Sequence, residues 1–106
     1  MSAPEKNQFI YVFDPIRPEL VTDPEAWTEE DERIGEAHVA YLKQATEEGT
    51  VILAGRSLDE SGPAVVILEA ATKKDARQFM ESDPFVAGGL MRASLHPFRA
   101  ALVRRS

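Results

Sequence analysis

The 106-residue chain contains no cysteine. Disulfide bridges, a thiolate nucleophile and cysteine-based metal centres are therefore excluded. Histidine is scarce too. His38 and His96 show no H-x-x-x-H, H-E-x-x-H or H-x-H spacing, so no metal site is expected. Neither G-x-G-x-x-G nor G-x-x-x-x-G-K occurs, and Gly88-Gly89 alone is not a phosphate loop. No cofactor is expected. Long apolar runs are also missing. The longest, Ala64-Val65-Val66-Ile67-Leu68, falls far short of the ~20 residues a membrane helix needs. The opening MSAPEKNQ lacks an apolar stretch behind a basic start, so no secretory signal is expected. A cytoplasmic protein is the default, with no membrane partner.

What is present is one small acidic domain, residues 1–106. Lys plus Arg number 12 and Asp plus Glu 18, a net charge of −6. The charge is uneven. Residues 92–106 carry Arg92, Arg99, Arg104 and Arg105 and no acid, so the rest of the chain holds all the acidic excess. Nucleic acid is not an expected partner, because its phosphates would meet a net negative surface. A chain of this size has room for one core and one pocket, not for separate cofactor and substrate domains.

Residues 1–7 are expected to be a flexible N-terminus. Phe9-Ile10-Tyr11-Val12-Phe13 reads as a strand ending at Asp14-Pro15. Residues 14–27, with Pro15, Pro18 and Pro24, read as a long loop, long enough to suggest a functional insert. Thr28-Glu29-Glu30-Asp31 has the form of a capping box. Ile34, Ala37, His38, Tyr41, Leu42 and Ala45 then recur at helical spacing, with acids opposite and Gly49 as the stop. Strands come next at Val51 to Arg56 and Ala64 to Ala70. Thr72-Lys73-Lys74-Asp75 opens a second helix with Ala76, Phe79 and Met80 inward. Asp83-Pro84 caps a short turn closed by Gly88-Gly89. A fourth strand runs from about Met91 to Pro97, and Phe98 to Val103 gives a last extended piece.

The order β-α-β-β-α-β is the split βαβ arrangement, an α+β fold with two helices on one face of a four-stranded antiparallel sheet. The second and third strands are apolar without alternation, whereas a sheet covered on one side alternates. No spare element exists to cover the other face. A homodimer with two sheets packed face to face is the expectation.

Four residues are candidates for chemistry. His38 sits in the apolar stripe of the first helix. It is either a hydrogen-bonded core histidine or a proton-transfer group lining a pocket. Asp83 is a natural helix cap, and a carboxylate there could also orient a histidine. Arg56 ends the second strand as a solvated charge or as a clamp for a carboxylate or enolate. Ser57 could donate a hydrogen bond beside it. It lacks G-x-S-x-G context, so it is not proposed as a nucleophile. Trp27, Tyr11 and Tyr41 line either an aromatic pocket or the core.

Four segments, taken in order, carry a resemblance. They are Glu36-Ala37-His38-Val39-Ala40-Tyr41-Leu42, Glu48-Gly49-Thr50-Val51-Ile52-Leu53-Ala54-Gly55-Arg56, Ser82-Asp83-Pro84-Phe85-Val86-Ala87-Gly88-Gly89-Leu90 and Leu95-His96-Pro97-Phe98. With its H-x-x-Y-L, G-x-x-x-x-A-G and D-P-F-x-x-G-G elements, the chain resembles the YCII-related (YciI-like) family over about residues 8–103. The resemblance implies a ferredoxin-like fold of the dimeric α+β barrel type. It also implies a histidine and an aspartate thought to do enzymatic work, which carry over to His38 and Asp83. One characterised kind of member is a dehydrochlorinase of chlorinated hydroxyhydroquinones. Muconolactone isomerases share the barrel as a fold-level analogy. The chain departs from many members in having Gly55-Arg56 where Gly-Pro is frequent, and in the Pro-rich loop.

Two functions are compatible with these features. One is a cofactor-free lyase or isomerase acting on a small anionic or phenolic ring compound. His38 would be the base or acid, Asp83 its orienting partner, and Arg56 with Ser57 the binder of a negative oxygen. The other is a non-catalytic dimeric module for a small molecule or a protein, with His38 and Asp83 a structural pair.

Overall fold

The computed structural model describes residues 7–59 and 61–104. Residues 1–6, most of the expected flexible terminus, lie outside the described residues, and Asn7 already belongs to a strand. In order come β1 (Asn7–Pro15), α1 (Glu19–Thr22), a 3-10 turn (Pro24–Ala26), α2 (Glu29–Glu48), β2 (Val51–Arg56), β3 (Ala64–Ala70), α3 (Lys73–Ser82), α4 (Pro84–Ala87) and β4 (Met91–Phe98). The strands form one sheet, ordered β2-β3-β1-β4, in which every pairing is antiparallel. This is the expected ferredoxin-like arrangement. Among the described residues, no helix is long and apolar enough to cross a membrane.

Strand alternation sorts the side chains. Phe9 and Tyr11 of β1, Val66 and Leu68 of β3 and Leu95 of β4 point to the helices and are buried. They pack with Leu42 and Ala45 of α2 and with Ala76 and Met80 of α3 to form the core. Ala37, expected in the inward stripe, is exposed. It lies at the edge of the buried arc, which Ile34, His38, Leu42 and Ala45 already fill. The other sheet face carries Ile10, Val12, Val65 and Ile67, all half-buried, flanked by Leu53 and Phe98. β2 is less regular than expected. Val51 pairs with Leu68 but Leu53 with Ile67, so a bulge at Ile52 resets which side chains face the helices.

The helix ends obey their sequence signals. Thr28 accepts from the Asp31 amide while the Asp31 carboxylate accepts from the Thr28 amide, the reciprocal capping box. Gly49, at φ 91°, closes α2 in the left-handed conformation that glycine adopts without strain. Thr72 caps α3 by accepting from the Asp75 amide.

The stretch 14–27 is a correction to the loop expectation. It completes β1 and then forms α1 and the 3-10 turn. Hydrogen bonds within the stretch and to the rest of the chain hold it in place. Ile16 N donates to Leu90 O at 3.0 Å, and the Trp27 indole donates to Leu20 O at 2.8 Å. Arg17 pairs with the buried Asp31 at 2.6 Å. The Thr28 amide and then the Arg17 guanidinium hold the Asp31 carboxyl below the usual carboxylate range. A lowered folded-state pKa contributes stability that is fully present above the unfolded value, about 3.9, and is lost as the pH falls through the folded value. In urea titrations, Asp31→Asn should therefore be less stable than the wild type at pH 7, and the gap should close on acidification. A gap independent of pH would rule out this linkage.

Candidate functional site

α2 and the segment joining α3 to α4 bring together two residues separated by two strands and a helix. His38 Nδ1 lies 2.6 Å from Asp83 Oδ1. Asp83 is fully buried, and the His38 side chain is 12% exposed. Asp83 occupies this place because it caps α4: its Oδ1 accepts from the Phe85 amide at 3.0 Å, and Pro84 takes the first helical position. Its other oxygen, Oδ2, accepts from the Tyr11 hydroxyl at 2.8 Å. One buried carboxylate thus joins β1, α2 and α4 through three hydrogen bonds.

The Asp83 contact fixes the imidazole. With Nδ1–H donated to the carboxylate, the neutral ring carries its lone pair on Nε2. Nε2 has no protein partner among the described residues. No buried side-chain nitrogen or oxygen among them lacks a partner, so Nε2 reaches solvent. Phe85 stacks on the ring at 3.7 Å and 11°, and Phe13 meets it edge-on at 5.6 Å. The aromatic frame continues through Tyr11 against Phe13 and Trp27 against Phe85. The ring is held on one face and at one nitrogen, and the Nε2 edge is left for an incoming group.

Burial, followed by the charge of Asp83, raises the Tyr11 hydroxyl well above the ordinary phenol range, so it remains a donor. Tyr41 is pushed up to about 12, again by burial first and Asp83 second, and donates to Phe79 O at 2.8 Å.

Arg56 and Ser57 do not join this pair. Arg56 is exposed at the end of β2, on an edge strand, and makes no side-chain hydrogen bond or ion pair among the described residues. Ser57 faces a turn: its hydroxyl donates to Asp59 Oδ1 at 3.1 Å and its amide to Pro63 O at 2.8 Å. His96 lies on the other sheet face beside Ser94, at 3.2 Å. Among the described residues no group of three or more His, Asp or Glu side chains could hold a metal. An open groove of about 780 Å³ lies along α1, the 3-10 turn and α2, lined by Leu20, Trp27, Glu32, Gly35, Glu36 and Val39 among others. It does not include His38; Trp27 of its lining meets Phe85 at 6.4 Å between ring centroids. Above Gly35 the Trp27 ring and the Phe85 ring, which stacks on His38, come together.

Two residues of this constellation are not marked as site residues by the sequence. Tyr11 reads there as core or pocket wall and not as a carboxylate partner. Its signal is the inward alternation Phe9, Tyr11, Phe13, which puts one hydroxyl among apolar neighbours. Phe85 stands out only as part of D-P-F, although its place two residues after a cap sends its ring back over α2.

A model of the YCII-related domain matches residues 18–99. The chain therefore belongs to the YCII-related domain family. No curated protein matches significantly in sequence. Among solved structures, the chain is similar to 5-chloro-2-hydroxyhydroquinone dehydrochlorinase (TftG) from Burkholderia phenoliruptrix AC1100, in complex with 2,5-dihydroxybenzoquinone. The TM-score is 0.60 at 20% identity, covering 87% of this chain and 93% of that one. The likeness establishes a shared fold.

Proposed function

We propose that this protein is a cytoplasmic, cofactor-free lyase or isomerase acting on a small anionic or phenolic ring compound, with His38 as the proton-transfer group. The observation that carries the reading is the His38 ring itself. A buried carboxylate occupies Nδ1, and Nε2 reaches solvent with no protein partner. A base in this state takes a proton from a ring hydroxyl or carbon. The electron pair released moves into the ring. In an elimination the leaving group departs as an anion with its bonding pair; in an isomerisation the proton returns at another atom. Neither route needs an oxidant or a second substrate. Asp83 holds the ring in place and balances the imidazolium charge. Arg56 and Ser57 stand apart from the His38–Asp83 pair and carry no step on the reacting ring.

The aromatic surroundings of His38 favour a flat ring compound, the class of the quinone held by the dehydrochlorinase named above. The test uses 2,5-dihydroxybenzoquinone as probe and ring-¹⁵N-histidine NMR. The chain has only two histidines, and His96→Gln assigns the signals. Binding should move the His38 Nε2 resonance and leave His96 unchanged. A saturating probe that leaves His38 unmoved defeats the proposal.

The other reading is favoured by the three hydrogen bonds that converge on Asp83. It is a non-catalytic module for a small molecule or a protein, in which the pair ties α2 to α4. Either reading includes a homodimer formed through the sheet face bearing Ile10, Val12, Val65 and Ile67, whose apolar side chains have no covering layer among the described residues. A monomer mass by light scattering at micromolar concentration would remove the dimer from both.

A further inference from the structure

We infer that residues 99–104 form an arm that docks into the Trp27 groove of a second copy of this chain. After β4 the backbone leaves the domain. Ala100 N is pinned to Gln8 Oε1 at 2.6 Å, and beyond it the described chain has no regular structure. Leu102 is 96% exposed and Val103 65%. Six extended residues span about 20 Å, a reach beyond the domain surface.

The groove has matching chemistry. Its floor and walls are apolar, with Leu20, Trp27 and the largely exposed Val39, and its charged lining residues are Glu32 and Glu36. Neither glutamate forms an ion pair among the described residues. The arm presents the complement: two adjacent apolar side chains between Arg99 and Arg104, in a stretch with no acid. In the single chain none of residues 99–104 lines the groove and Leu102 and Val103 stay exposed, so the partner that fits is another copy. The contact is separate from the His38 chemistry and adds to the sheet-face dimer.

Trp27 is the chain's single tryptophan and lines the groove, so its acrylamide quenching reads occupancy directly. The full-length protein is compared with L102D/V103D, whose altered side chains are exposed in the single chain and leave its core intact. In the wild type, quenching should rise on dilution as copies separate. In the variant it should already be high, with the transition moved to at least about tenfold higher concentration, the loss of an interface anchor. Glu32→Arg with Glu36→Arg should expose Trp27 as well, and Arg104→Glu should partly restore its protection. Equal quenching in wild type and L102D/V103D overturns the inference. Protection that the variant loses but dilution does not touch also overturns it, because the arm would then dock on its own chain. Light scattering on the same samples separates this from the sheet-face dimer. A dimer mass with arm-independent Trp27 quenching sinks the arm alone.

Discussion

Asp83→Ala should lower the stability of the fold by about 3–5 kcal/mol, because each buried donor left without its acceptor costs about 1–3 kcal/mol. The carboxylate is fully buried and accepts from His38, Tyr11 and the Phe85 amide. Alanine strands all three at once. The Tyr11 hydroxyl, completely buried in the core, loses its acceptor. The α4 cap disappears, and its loss alone typically costs about 1 kcal/mol. His38 is left without its anchor. Urea unfolding followed by circular dichroism should show a lower midpoint with an unchanged slope. Asp83→Asn should fall between the two, since an amide oxygen still serves two of the donors. An alanine variant within about 0.5 kcal/mol of the wild type would show that Asp83 does not hold these elements together.

His38→Ala should reduce turnover of the substrate by about 10²–10⁴, the range for loss of a placed proton-transfer group. The fold should lose less than in Asp83→Ala. With His38 gone, Asp83 still accepts from Tyr11 and Phe85, so the penalty is the weaker one of an incompletely satisfied buried group, about 1–3 kcal/mol. Comparing the single variants with the double variant isolates the pair. In turnover, the double variant should fall no further than His38→Ala, because Asp83 acts through the imidazole. A purely structural pair gives the opposite pattern: a fall in stability, with ligand binding and any turnover intact in the folded fraction. That pattern would remove His38 from the chemistry.

The elements legible in the sequence are those set by local rules. The capping box Thr28–Asp31 and the terminal Gly49 mark α2 to the residue, because capping is settled within one turn of helix. Asp83-Pro84 marks α4 for the same reason. The apolar run Val65 to Leu68 is also visible, and strand alternation splits it into buried Val66 and Leu68 and half-buried Val65 and Ile67. The stretch 14–27 reads wrongly as a loop because its helical turns are held by partners distant in sequence: Asp31 for Arg17 and Leu90 for Ile16. Prolines announce an interruption but leave the next element unspecified.

The candidate site divides along the same line. Sequence by itself determined that no cysteine thiolate takes part in any chemistry of these residues, since the chain has no cysteine. It also determined the split βαβ order and the acidic surface. Only the tertiary structure decided that His38 meets Asp83, that Tyr11 is their third partner, that Ser57 is engaged in a turn, and that a basic apolar arm leaves the domain. Side chains from β1, α2 and the cap of α4 meet because the sheet and helices close around one core. The chain order does not encode that meeting in any local pattern, whereas composition and capping act over a single turn or strand.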